Sequence, residues 1–203
     1  MHRLITFALV AVMPVMTHAA TIQGEAAANL PAPVKAVLSA VAERANVPSL
    51  AVTSADRTPE QHARIMVVDK MHCGDGKCPG AQKVLDDYCP EHDRAVNTLL
   101  ADKSWKTADQ AIAVLATALV HELPANRTCV MHVVVPGQVT DWKAVDVAPS
   151  SIPDGQKCKF LEEATKEPMI AKARVFVPPT STCAAGVVKQ SETAFHIEIK
   201  QKH

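Results

Sequence analysis

Cys73, Cys78 and Cys89, with His72 and His92 beside them, have side-chain types that bind a metal or cross-link the chain. The Cys73-Gly74-Asp75-Gly76-Lys77-Cys78 spacing is looser than that of a zinc ribbon or finger. Six cysteines occur in all (Cys129, Cys158 and Cys183 complete the set), an even number that favours disulfides, with 15 pairings open to them. Nucleophile chemistry has little support. Ser54 and Ser104 lack a neighbouring base in a nucleophile motif, and no Gly-x-Ser-x-Gly occurs. Arg57 is different. A guanidinium stays charged and presents a planar set of donors, which suits a carboxylate or a polarised carbonyl.

These residues must be carried by a mixture of helices and strands. Val34, Val37, Leu38 and Val41 recur at helical spacing within 30–45, ahead of Asn46-Val47-Pro48. Residues 50–53 read as a short strand. Pro59 sits where proline starts a helix, which continues to about Lys70. Gly74, Gly76, Pro79 and Gly80 make 71–80 a loop. Residues 82–100 read as helical with a break near Cys89-Pro90, and Thr107 is an N-cap for an apolar helix to about Glu122. Beyond it, 129–135, 143–147, 171–177 and 194–200 have strand character, with a helix over 156–166 between them. In the last strand Phe195, Ile197 and Ile199 share one face. Helices first and strands later predict an α+β domain with a mostly antiparallel sheet.

Residues 1–20 have the layout of a secretory signal: Arg3, an apolar run from Leu4 to Val15, then Thr17-His18-Ala19-Ala20. The run is too short to span a bilayer, which takes about 20 apolar residues. No later segment has the character of a membrane span. Residues 21–203 are enough for one domain and too few for two. The 21 Lys and Arg balance the 21 Asp and Glu, so no basic footprint for nucleic acid exists. His62 and the run Glu162–Glu167 read as surface features, and Asn126-Arg127-Thr128 matches a glycosylation sequon.

Three segments, taken in order, carry a resemblance: Ser54-Ala55-Asp56-Arg57-Thr58-Pro59-Glu60, Ala144-Val145-Asp146-Val147 and Phe195-His196-Ile197-Glu198. Together they resemble the zinc D-Ala-D-Ala peptidases, a family of cell-wall carboxypeptidases, dipeptidases and phage endolysins. The resemblance implies a small α+β fold whose antiparallel sheet floors a cleft, with disulfide staples as additions. It makes Arg57 the contact for substrate carboxylate or developing oxyanion, with Ser54 sharing substrate binding. Asp146 and His196 become metal ligands.

The likeness departs from the family pattern at two places. The family histidine seven residues before the aspartate falls on Val139, which has no lone pair to give, and the family glycine falls on Trp142. His132 lies further upstream and becomes the third ligand if 133–142 is an inserted loop. The catalytic acid, three residues before the family's last histidine, falls on Thr193, with Glu192 one position further back. The resemblance therefore implies an exported, periplasmic or secreted protein with an incomplete zinc site. Its leading reading is a catalytically impaired binder of peptidoglycan stem peptide or of a protein partner, with no metal cofactor. In the alternative, His132, Asp146 and His196 hold zinc, Glu192 activates water, and the protein is an active D,D- or L,D-peptidase. A third reading is a disulfide-stabilised interaction or inhibitor module.

Overall fold

The computed structural model describes residues 19–123, 132–178, 181–183, 188–189 and 193–201. Among the described residues, six strands form one sheet: β1 (Thr21–Gln23), β2 (Ser49–Ser54), β3 (Trp142–Val147), β4 (Ile170–Val177), β5 (Val188–Lys189) and β6 (Phe195–Lys200). Their spatial order is β1-β2-β3-β6-β4-β5. The outer pairs β1–β2 and β4–β5 are parallel; the central pairs β2–β3, β3–β6 and β6–β4 are antiparallel. The α+β class predicted from sequence is observed, with a mixed sheet that is antiparallel through its centre.

Alternation along the central strands sorts their side chains. Val145 lies opposite Ile197 and Val147 opposite Phe195, and all four are buried in one apolar core. That core is closed by α2 (Ala32–Arg44) and α7 (Lys157–Lys166). Val34, Leu38, Val41 and Ala42 follow the i, i+4, i+7, i+8 spacing of a helix that buries one stripe. Phe160, Leu161 and Ala164 do the same on α7. The helices are tied at their solvent side by Arg44, which pairs with Glu163 and Glu167. Glu163 is buried and also accepts from Lys159, so the acidic run there is only partly a solvated face.

The other face of the same strands presents Ala144 and Asp146 from β3, and His196 and Glu198 from β6. This face carries the polar cluster described below.

A second core is helical. It contains α3 (Pro59–Arg64), a π-helical turn at Ile65–Lys70, α4 (Ala81–Asp87), α5 (Pro90–Ala101) and α6 (Ala108–Glu122). Thr58 and Thr107 close capping boxes with Gln61 and Gln110, which satisfies donors that each helix start leaves bare. Val133 and Val135, far downstream, are buried in this same core. His62 is buried too, with its ring edge against His92, so it is not the surface residue its sequence context suggests. The helical period of α3 is polar enough around His62 to mislead; burial comes from α5 folding over it.

Short elements absent from the sequence reading are β1, β5, α1 (Glu25–Ala28) and two 3₁₀ turns at Pro149–Ser151 and Asp154–Gln156. Disulfides join Cys73 to Cys78 and Cys158 to Cys183, and Cys89 is disulfide-bonded as well. The Cys73/Cys78 thiols are thus cross-linked to each other and cannot be zinc thiolates. Among the described residues, no helix is long and apolar enough to cross a membrane. The signal-like segment 1–18, the sequon at 126–128 and Glu192 lie outside the described residues.

Candidate metal centre

Asp146 is positioned by the centre of the sheet. It is paired with His196 across β3–β6, and with Ser54 across β2–β3. The β2–β3 register shifts between Val52 and Ser54: two steps on β2 answer one on β3. In an unbroken strand Val52 and Ser54 would share a face. The bulge at Thr53 instead leaves Val52 in the apolar core and turns Ser54 toward Asp146. The Thr53 hydroxyl donates to the Asp146 carbonyl at 3.3 Å, which fills the gap in the ladder.

His132 arrives from a different part of the chain. It does not lie on a strand, as its β-branched surroundings predict, but at the head of an extended stretch held by a bridge between Arg57 and Val133. The Arg57 N–H donates to the His132 carbonyl at 2.6 Å, and Val134 N–H donates to the Arg57 carbonyl at 2.8 Å. Val133 and Val135 point into the helical core, so His132, one residue out of phase, points away from it. Its Nδ1 lies 2.9 Å from the Ala55 carbonyl oxygen. A carbonyl can only accept, so Nδ1 carries a hydrogen, and in the neutral ring the Nε2 lone pair faces inward.

Three donor atoms meet there. His132 Nε2 is 3.1 Å from Asp146 Oδ1 and 3.1 Å from His196 Nδ1, and His196 Nδ1 is 2.9 Å from Asp146 Oδ1. Asp146 and His132 are buried, and His196 nearly so. Donors bound to a tetrahedral zinc at about 2.1 Å stand about 3.4 Å from one another, so the three atoms need to part by only a few tenths of an ångström. Two imidazoles and a carboxylate are a donor set that suits zinc. The chemistry of the cluster points the same way. Three electron-rich atoms in mutual contact are held together only by a proton or a cation among them.

Without a metal, the proton takes that place. Burial would lower the His196 pKa, but hydrogen bonds to Asp146 and Glu198 and their negative charge outweigh it and raise it to about 9. Burial likewise would raise the pKa of Asp146, yet hydrogen bonds and charge from His132 and His196 hold its carboxyl well below the usual carboxylate range.

Arg57 flanks the cluster. Its guanidinium donates to the Ser54 hydroxyl, and Nη2 lies 4.0 Å from Asp146 Oδ2. The neighbouring Asp56 pairs with Lys143 instead, so the acid that Arg57 faces is Asp146. Ser54 is buried and its hydroxyl is engaged with Arg57, which makes it a support for the guanidinium more than an open contact. Phe176 on β4 sets its ring edge-on to His196 at 5.3 Å. Val139, at the position where the family pattern has histidine, is 67% exposed and takes no part in the cluster.

Two features of this centre escape sequence reasoning. One is the Ala55 carbonyl, which is backbone and leaves no sequence signal. The other is Glu198, a buried acid whose Oε1 lies 3.4 Å from His196 Nε2. Its signal was available: His196-x-Glu198 on a strand puts both side chains on one face. No family model, curated protein or solved structure matches this chain.

Proposed function

We propose that the protein is an exported zinc peptidase acting on the stem peptides of peptidoglycan. The observation that carries this reading is the convergence of His132, Asp146 and His196, whose donor atoms lie within 3.1 Å of one another. The impaired-binder reading rests on Val139 occupying a ligand position and on the displaced acid. The place of His132 beside Asp146 and His196 bears on the first of these and supports the active reading over it. The disulfides fit an oxidising compartment, periplasmic or extracellular.

His132, Asp146 and His196 would hold the ion. When bound, zinc supplies Lewis-acid polarisation of the scissile carbonyl and a nucleophile at neutral pH. The chain supplies the rest. Arg57, fixed by Ser54 and by its backbone pairing with His132 and Val134, holds a fork of donors beside the ligand cluster for the carboxylate or the developing oxyanion of the substrate. That backbone pairing links the substrate contact rigidly to a metal ligand. Glu192 is the acid that the family resemblance nominates as base.

The test is metal analysis of the mature protein combined with digestion of purified muropeptides. The expected result is one zinc per chain, lost in His132→Ala, and release of a terminal D-amino acid by the zinc-loaded protein only. A mature protein that takes up no zinc at neutral pH would end the proposal, as would a zinc-loaded protein that leaves every muropeptide intact. The same donor set accepts ferrous iron; iron as the retained metal would replace the peptidase with an oxygenase.

A further inference from the structure

Glu198 has no role in the ligand set, yet it is 2% exposed on the same face of β6 as His196. A buried carboxylate is costly unless it is paired or serves a bound cation. Its geometry is specific. Oε1 lies 3.4 Å from Nε2 of His196, the ring nitrogen that faces away from Asp146 and His132. Directly opposite Glu198 on β3 stands Ala144, fully buried and too small to fill the space between the strands, which leaves room for the carboxylate. The sheet thus has a layered order: Asp146 beside His196, and Glu198 behind it.

We propose that Glu198 is a positioning residue that fixes the tautomer of His196 and strengthens it as a metal ligand, an inference that rests on the zinc-centre reading above. A carboxylate can only accept, so the hydrogen of neutral His196 is held on Nε2 and its Nδ1 lone pair is directed at the ion. His132 is oriented by the same logic with a weaker partner, the Ala55 carbonyl. The two histidines therefore coordinate through different ring nitrogens, His132 through Nε2 and His196 through Nδ1. Each has its remaining N–H occupied by an acceptor supplied by the fold. The second carboxylate also raises the negative charge around the cluster, which favours a dication over a single proton in that place.

Two measurements decide it. In the first, zinc affinity is measured by competition with a chromophoric chelator for wild type, His196→Ala and Glu198→Gln. The glutamine is isosteric, keeps an acceptor and removes the charge. Glu198→Gln is expected to bind zinc about 10–100-fold more weakly than wild type, with His196→Ala weaker still. Equal affinity of Glu198→Gln and wild type, within about 2-fold, overturns the inference while wild-type zinc binding keeps the peptidase reading alive. Absence of zinc binding in wild type overturns both.

The second measurement needs no variant and so stands even if Glu198→Gln fails to fold. Long-range ¹H–¹⁵N correlation of the histidine rings in zinc-loaded wild type is expected to show His196 with Nε2 protonated and Nδ1 on the metal. A His196 ring with Nε2 on the metal overturns the inference. A purely structural glutamate would not select the ring nitrogen.

Discussion

His132 and His196 are separated by 64 residues of chain, yet their facing ring nitrogens stand 3.1 Å apart with Asp146 Oδ1 touching both. His196 comes with the central strand β6, whereas His132 comes with an extended segment anchored in the helical core through Val133 and Val135. The candidate centre therefore joins the two halves of the fold.

That relationship separates His132 from Val139 by experiment. His132→Ala is expected to weaken zinc binding by at least 100-fold, since two ligands hold zinc far less firmly than three. Val139→His, which places histidine where the resembled family pattern has it, is expected to change zinc affinity by less than about 2-fold, because the position is 67% exposed and outside the cluster. Rescue of His132→Ala by Val139→His would refute the assignment. Isothermal titration with zinc reads both.

Arg57→Lys keeps the positive charge and removes the fork. Loss of an oriented donor to developing charge costs roughly 100-fold or more. The expected outcome on a muropeptide substrate is a fall in kcat/KM of that order with one zinc per chain retained. Loss of zinc in Arg57→Lys would instead mean that the backbone pairing with His132 had been disturbed.

His92, fully buried between His62 and Tyr88, predicts acid sensitivity of the helical core. Burial lowers its pKa from 6.5 to about 4, so the folded protein keeps it neutral. Between those values the unfolded chain binds a proton that the folded chain refuses. The stability associated with His92 is therefore complete above pH 6.5 and is lost as pH falls toward 4, by roughly 3 kcal/mol. Urea denaturation at pH 7 and pH 4.5 should show this loss in wild type and a smaller one in His92→Phe. An equal acid loss in both proteins would remove His92 from the account.

The Cys158–Cys183 and Cys73–Cys78 disulfides are expected to differ in weight. Cys158 and Cys183 are 25 residues apart in sequence, and Cys73 and Cys78 only 5. Loop-closure entropy gives about 3.5 kcal/mol for the first and about 2 kcal/mol for the second. Denaturation of Cys158→Ala/Cys183→Ala and Cys73→Ala/Cys78→Ala double variants measures the order directly. The reverse order would show that native-state contacts, not chain entropy, dominate.

Much of the scaffold was legible because its signals are local. Thr58-Pro59 and Thr107 mark helix starts through capping chemistry that acts within four residues. The alternation of Phe195, Ile197 and Ile199 announces β6 because one face must be buried. Asp146 and His196 were nominated by the likeness of their short segments to a known family pattern, while strand alternation gave only the face on which each would lie. The same patterning left Glu198 in view without a role.

What sequence determined by itself was the α+β class, the principal helices and the strands that form the sheet centre, with Asp146 and His196 singled out by resemblance alone. Only the tertiary structure decided the third donor, the face of Ser54 and the burial of His62. A ligand set depends on where side chains end after folding, not on their spacing along the chain. His132 reaches Asp146 through a backbone bridge to Arg57 and two valines seated in a distant helical core, and Ser54 through a one-residue bulge. Those are contacts between segments far apart in sequence, and no periodicity within either segment encodes them.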